Sequence, residues 1–182
     1  TTFAAASHIE SQYFGSRLCG PVARNMMRSL FVNKGRADQL ARRPEGFEKS
    51  KVQKLGILGA GMMGAGIAFV SAKAGMEVVL LDTSQENAER GKAYSEGLLN
   101  KAIERGRSTP EKAEALLNLI TPTTSYHDLM GCDLVIEAVF ESRELKADVT
   151  RKTEAVIPET SVFASNTSTL PITGLAEASQ RP

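Results

Sequence analysis

A chain of 182 residues with 42% hydrophobic and 24% charged residues has the composition of an ordinary globular protein. It is long enough for one well-buried domain plus an appendage, but not for two full domains. The formal net charge of +1 argues against a polyanion partner, although residues 1–51 hold nine Lys/Arg against four Asp/Glu and the remainder thirteen against seventeen. Without aromatic residues interleaved to stack on bases, the basic segment reads as a solvated helix face and not a nucleic-acid arm. No apolar run approaches the roughly 20 residues needed to span a bilayer. The start, TTFAAASHIESQYF, lacks the charged and apolar regions of a signal peptide, so a soluble intracellular protein is expected. Cys19 and Cys132 belong to no CxxC pair and read as free thiols in a reducing compartment.

In chain order, residues 8–34 read as helical. Ile9, Tyr13, Leu18, Val22, Met26 and Leu30 recur at steps of four or five on one stripe, and Gly20-Pro21 should kink the helix or start a second. The basic, aperiodic run Lys34–Lys51 reads as a linker, which divides the chain into a helical segment over 1–50 and a domain over 51–182. From Val52 five short apolar runs alternate with helical patterns: Gln53–Leu58, Glu77–Asp82, Leu117–Thr121, Asp133–Glu137 and Ser161–Ala164. Their β-branched content suits strands buried on both faces, and repeated βα units predict a parallel, doubly wound α/β sheet. The connection after the second strand is long enough for a helical hairpin, one helix over about Gln85–Gly106. The other is predicted to start at Ser108-Thr109-Pro110-Glu111, with Ser108 and Glu111 as a capping box. A last crossover helix is predicted over about Ser142–Ile157, before Pro158.

The sharpest motif is Gly59-Ala60-Gly61-Met62-Met63-Gly64. Glycines also occur in plain turns, but this loop follows a strand and opens a helix, as a dinucleotide-binding fingerprint requires. Gly59 would make the tight turn, Gly61 would let the backbone approach a pyrophosphate, and Gly64 would let helix and strand pack closely. The helix N-terminus would add unpaired N–H groups and a positive dipole end. Asp82 closes the second strand, where a carboxylate accepts both ribose hydroxyls and repels a 2′-phosphate. With no Arg over positions 83–89, NAD(H) is favoured over NADP(H); the rival role for Asp82 is a helix cap. No GxxxxGK[ST] is present, which excludes a P-loop.

Ligands of such sheets lie at the carboxyl ends of the strands, where strand order reverses. The loops after the fourth and fifth strands, Glu137–Glu141 and Ala164–Thr169, should therefore face the reacting half of the cofactor. Taken together, GAGMMGAGIA, VVLLD, VIEAVFE and ASNTSTLPI closely resemble the L-3-hydroxyacyl-CoA dehydrogenase family of fatty-acid β-oxidation over all of residues 52–182. Residues 8–50 are similar to the helical linker that follows an enoyl-CoA hydratase/isomerase domain in multifunctional α-subunits. The resemblance implies an NAD cofactor, an acyl-CoA substrate, a hydratase domain in the same chain, a thiolase subunit as partner, and bacterial cytoplasm or an organelle matrix as location. It implies that Met62 and Met63 in the glycine loop, Asp82, Val139, Phe140 and Glu141 contact the cofactor. Lys146 matches a family lysine near cofactor and substrate, Ser168 a serine that bonds the reacting 3-oxygen, and Asn166 shapes the same pocket.

Each of these has a structural rival. Ser168 could cap the next helix, Lys146 could be a solvated charge, and Glu141 could be a helix cap or first-turn acid. Oxidation of a secondary alcohol also needs a base. His8 on the linker helix and His127 before the fourth strand are poorly placed, and the resemblance implies a His–Glu dyad further along, with its histidine in a G-x-H-F-x-N-P segment. The chain therefore reads as the cofactor-binding part of a longer enzyme, itself inactive. The alternatives are a non-catalytic dinucleotide-binding or assembly module, and another Rossmann β-hydroxyacid dehydrogenase.

Overall fold

The computed structural model describes residues 2–46 and 50–181, in two compact units divided between Ser50 and Lys51. The first unit is helical: α1 (Phe3–Leu18), α2 (Pro21–Met27), a π-helical turn over Arg28–Asn33, and α3 (Lys34–Asp38). Helix α1 begins five residues before the predicted start, capped by the Thr2 hydroxyl, which accepts from the Ala5 N–H. Gly20-Pro21 starts a new helix, with Gly20 as N-cap and Pro21 in the first turn. Within this unit the stripe Ile9, Tyr13, Leu18, Val22, Met26 and Leu30 is exposed throughout.

The second unit is a five-stranded parallel sheet in the order β3-β2-β1-β4-β5. Its strands are β1 (Lys54–Leu58), β2 (Glu77–Leu81), β3 (Ile120–Thr123), β4 (Leu134–Glu137) and β5 (Val162–Ser165). Alternate residues of the apolar runs serve two different cores. Leu55, Ile57, Val78 and Leu80 pack on one face with Ala68 and Ala72 of α4 (Met62–Lys73). Leu58, Val79, Leu81 and Val135 pack on the other with Leu129, Cys132 and Val149. This two-sided burial explains why the strands read as continuous apolar runs and not as alternating ones. Small residues Gly64, Ala65, Ala68 and Ala72 form the inner face of α4 and let it lie close to β1.

The helical hairpin consists of α5 (Gln85–Glu104) and α6 (Pro110–Leu117). It is anchored by the buried Ala88, Gly91, Ser95 and Leu99 of α5, which packs against α4 and β3. Two sequence expectations are corrected here. The cap of α6 is Thr109, whose hydroxyl accepts from the Lys112 N–H, and not Ser108. The third strand is displaced to Ile120–Thr123, because Leu116 and Leu117 complete the apolar face of α6. Pro122 is accepted inside that strand because β3 lies at the sheet edge. On the opposite side α7 (Arg143–Glu154) covers β4 and a short α8 (Ile172–Ala176) follows β5. No helix among the described residues is long and apolar enough to cross a membrane.

Candidate functional site

Strand order reverses between β1 and β4, so the loops leaving their carboxyl ends diverge and open a crevice. The glycine loop forms one wall. Gly59 has φ of +95°, and a Cβ there would stand 2.8 Å from the Ala138 carbonyl oxygen, so strain and crowding both demand glycine. At Gly64 a Cβ would fall 1.8 Å from the Gly59 carbonyl oxygen, inside any possible contact. Gly61 differs: it has ordinary φ of −67°, caps α4, and a Cβ would meet nothing within 4 Å. Its missing side chain leaves open space at the N-terminal, positive end of α4. Met62 and Met63 follow it, 83% and 50% exposed, beside that opening.

Asp82 is the first residue after β2, and its N–H continues the ladder to the Thr123 carbonyl. Its carboxylate accepts from the Ala60 N–H at 2.6 Å, from the Thr83 N–H at 2.7 Å, from the Thr83 hydroxyl at 3.1 Å and from the Asn87 amide at 3.3 Å. Burial raises the Asp82 pKa, but these four bonds outweigh it and hold the group below the usual carboxylate value. Asp82 therefore does more than end a strand: its charged form is docked onto the glycine loop. The cap of the following helix is Ser84, whose hydroxyl accepts from the Asn87 N–H, so the capping role for Asp82 is excluded.

The other wall is built by the loops after β4 and β5. Phe140 is 81% exposed in the first, beside the half-buried Val139. Glu141 precedes the true cap of α7, Ser142, and accepts from the Thr167 hydroxyl at 2.9 Å. In the second loop the Asn166 N–H bonds the Glu137 carbonyl at 2.8 Å, prolonging the β4–β5 ladder, while the residue itself is exposed. Ser168 is exposed in the bend that follows. It does not cap α8, whose N-cap is Pro171. The loop is shaped by Thr167, whose hydroxyl oxygen accepts from the Leu170 N–H at 3.1 Å.

Lys146 is buried and not solvated. Its ammonium is buried at 2.8 and 2.9 Å from the two carboxylate oxygens of Glu137, itself buried at the end of β4. The Ser165 hydroxyl also donates to Glu137. Glu137, Ser165 and Thr167 lie inside the runs VIEAVFE and ASNTSTLPI but were not singled out from them. The only available hint is a lone acid ending an otherwise apolar strand, LVIE. His127 sits in a short 3₁₀ turn beside Lys54 and Glu77, the first residues of β1 and β2, and hence at the opposite end of the sheet from the crevice. His8 lies on α1, in the other unit.

Residues 54–182 match the family model for the NAD-binding domain of 3-hydroxyacyl-CoA dehydrogenase. The chain belongs to that family. It is 43% identical over 129 residues to a probable 3-hydroxybutyryl-CoA dehydrogenase of Deinococcus radiodurans, covering 71% of this chain and 46% of the relative. It is 34% identical over 177 residues to the fatty acid oxidation complex subunit alpha of Psychrobacter arcticus, covering 97% of this chain and 24% of that subunit. The crystal structure of 3-hydroxybutyryl-CoA dehydrogenase from Escherichia coli K12 superposes with a TM-score of 0.70 at 37% identity, over 73% of this chain and 28% of that one. The chain thus spans between a quarter and a half of the relatives it matches. As the family's NAD-binding domain it presents the parts such a cofactor needs: an open backbone approach at Gly61, a helix N-terminus and a docked carboxylate.

Proposed function

We propose that this domain holds NAD(H) in the crevice between the glycine loop and the β4 and β5 loops, as the cofactor-binding part of a dehydrogenase acting on L-3-hydroxyacyl-CoA. The observation that carries the cofactor preference is the Asp82 carboxylate, charged, half-buried and fixed against the Ala60 N–H. A ribose with two free hydroxyls can share such a carboxylate, whereas a 2′-phosphate would be repelled. In this reading the pyrophosphate lies over Gly59, Gly61 and Gly64 at the start of α4, with Met62 and Met63 flanking it. Val139, Phe140 and Glu141 border the nicotinamide half, and Ser168 and Asn166 line the place of the reacting 3-oxygen. Bound NAD⁺ supplies hydride acceptance; the chain's residues bind and orient. His127, at the far end of the sheet from the crevice, is not assigned as the base for the hydroxyl proton.

The subunit-alpha match, over 177 residues and 97% of this chain, takes in most of the first 50 residues. This supports a multifunctional fatty-acid oxidation protein as the parent, with a hydratase domain in the same chain, a thiolase subunit as partner and the bacterial cytoplasm as location. Isothermal titration tests the cofactor reading: NADH should bind at least about tenfold more tightly than NADPH. Equal affinities, or tighter NADPH binding, would refute it. For the parent protein, NADH formation on addition of L-3-hydroxyacyl-CoA and NAD⁺ tests the activity.

A further inference from the structure

The Asp82 carboxylate occupies a cradle of donors. One oxygen takes the Ala60 N–H at 2.6 Å; the other takes the Thr83 N–H at 2.7 Å, the Thr83 hydroxyl at 3.1 Å and the Asn87 amide at 3.3 Å. Behind this cradle stands a cation. The side-chain oxygen of Asn87 accepts from the guanidinium of Arg90, so a single amide joins the carboxylate to the arginine. Arg90 lies one position past the stretch 83–89 in which the sequence holds no arginine. Arg90 and Gly91 both stand one turn beyond Asn87 on α5, and this part of the helix is pressed against the glycine loop. A Cβ on Gly91 would stand 2.8 Å from Ala60 Cβ and 2.9 Å from the Ala60 carbonyl oxygen. Arg90 is exposed, and among the described residues it forms no ion pair, with Asp82 or with any other carboxylate. Its charge is therefore uncommitted, beside the place where a ribose would meet Asp82.

We propose that Thr83, Asn87 and Arg90 form a latent site for the 2′-phosphate of NADP(H), filled in this chain by the Asp82 side chain, with Arg90 as the residue that sets its strength. The proposal rests on the crevice being the dinucleotide site, with the adenosine ribose at Asp82. A carboxylate that shares hydrogen bonds with ribose hydroxyls touches the 2′-oxygen. A phosphate carried on that oxygen must then take up the space of the carboxylate itself. The donors of the cradle suit either anion, being two backbone N–H groups, a hydroxyl and an amide. Charge separates the two cases. A phosphate beside the Asp82 carboxylate is repelled, whereas a phosphate in its place meets a guanidinium whose fork can hold two of its oxygens. Selection against NADP(H) thus depends on one carboxylate and not on a lack of partners for the phosphate.

NADPH and NADH affinities are read by titration for the unsubstituted chain, D82A, D82A/R90Q and D82A/K101Q, with thermal melting to show that each is folded. D82A should bind NADPH at least about tenfold more tightly than the unsubstituted chain does. D82A/R90Q should then lose about tenfold in NADPH affinity relative to D82A. D82A/K101Q should keep the gain, because it removes the same charge from an exposed position near the other end of α5. If D82A binds NADPH no better than the unsubstituted chain, the cradle takes no phosphate and the proposal is overturned. It is overturned equally by a D82A/R90Q variant as tight as D82A, or by one that loses NADPH and NADH affinity alike. A D82A/K101Q variant as weak as D82A/R90Q would reduce the effect to net charge and also overturn it. Where D82A does not fold, D82S replaces it throughout: its hydroxyl can still accept one of the N–H bonds, and its shorter side chain leaves room for a phosphate. NADH tells the two readings apart. Binding of NADH by the unsubstituted chain with no NADPH gain in D82A refutes the latent site alone. An NADPH gain in a chain that binds no NADH upholds the site and refutes the NAD(H) reading, and no binding of either cofactor by any variant refutes both.

Discussion

Two alanine substitutions within one six-residue loop should fail in opposite ways. At Gly64 the new methyl would stand 1.8 Å from the Gly59 carbonyl oxygen, with the Gly59 carbonyl carbon at 3.0 Å and Ile57 Cγ2 at 3.3 Å. The nearest obstacle is backbone, so no rotamer change relieves it. The start of α4 must move off β1 by more than an ångström, and the close packing of Ala65 and Ala68 goes with it. Overpacking costs about 1–3 kcal/mol when side chains can adjust, and a backbone collision belongs at the top of that range. A loss of about 3 kcal/mol lowers the melting temperature of a unit this size by about 10 °C. At Gly61 the same methyl meets nothing within 4 Å, and the backbone angles are open to any residue. Exchange of Gly for Ala at an N-cap costs no more than about 1 kcal/mol of stability. The methyl would, however, occupy the space the pyrophosphate needs, so NADH affinity should fall by at least about tenfold. Thermal melts and NADH titration of G61A and G64A measure both quantities. Unchanged melting of G64A would show that the β1–α4 contact is wrong, and unchanged NADH binding of G61A would remove the pyrophosphate from this loop.

D82A should weaken NADH by about 1.5–3 kcal/mol, the worth of hydrogen bonds to a charged group, or about 10- to 150-fold in a titration; unchanged affinity would refute the ribose role. The pH dependence has a definite sign. Because the hydrogen bonds hold the Asp82 pKa below its ordinary value of 3.8, its contribution is complete above that value and is lost only as pH falls through the lower folded one. NADH affinity should therefore show no Asp82 titration between about pH 5 and 8, and a carboxylate step in that window would contradict the bonding at Ala60 and Thr83. T167V removes the bridge to Glu141 and the acceptor for the Leu170 N–H, whereas T167S keeps both. The valine variant should bind NADH several-fold more weakly and the serine variant as before, and equal losses in both would show that the hydroxyl is idle. Burial pushes the Cys132 thiol up to about 11, while Cys19 is exposed. A thiol reagent at about pH 8 should label Cys19 in the native protein and Cys132 only after denaturant, and two thiols reacting at similar native rates would place Cys132 at the surface.

Legibility in the sequence followed the reach of each interaction. The β1–glycine loop–α4 unit was readable because each constraint acts within a few residues: a left-handed turn at Gly59, a close approach at Gly64, a helix start at Gly61. Strands β1 and β2 were readable because both faces are buried and their runs are apolar almost without interruption. The third was misplaced because Leu116 and Leu117 satisfy a helix as well as a strand, and only the partner Leu119 carbonyl, bonded by the Val78 N–H, fixes where β3 begins. The choice of Ser108 as cap failed for a similar reason: two adjacent hydroxyls offer the same chemistry, and the backbone selected Thr109, extended at ψ 158°.

The far wall of the crevice marks where reading along the chain stops working. Lys146 and Glu137 are nine residues apart on different elements, and nothing in LVIE or RELKAD says that one ammonium will bury itself against one carboxylate. Family resemblance implies a place for Lys146 near the cofactor; what resemblance does not carry is that its ammonium meets both carboxylate oxygens of Glu137 and the Val139 carbonyl. That pairing arises because α7 lies over the end of β4, a contact between separate elements that no single run of residues announces.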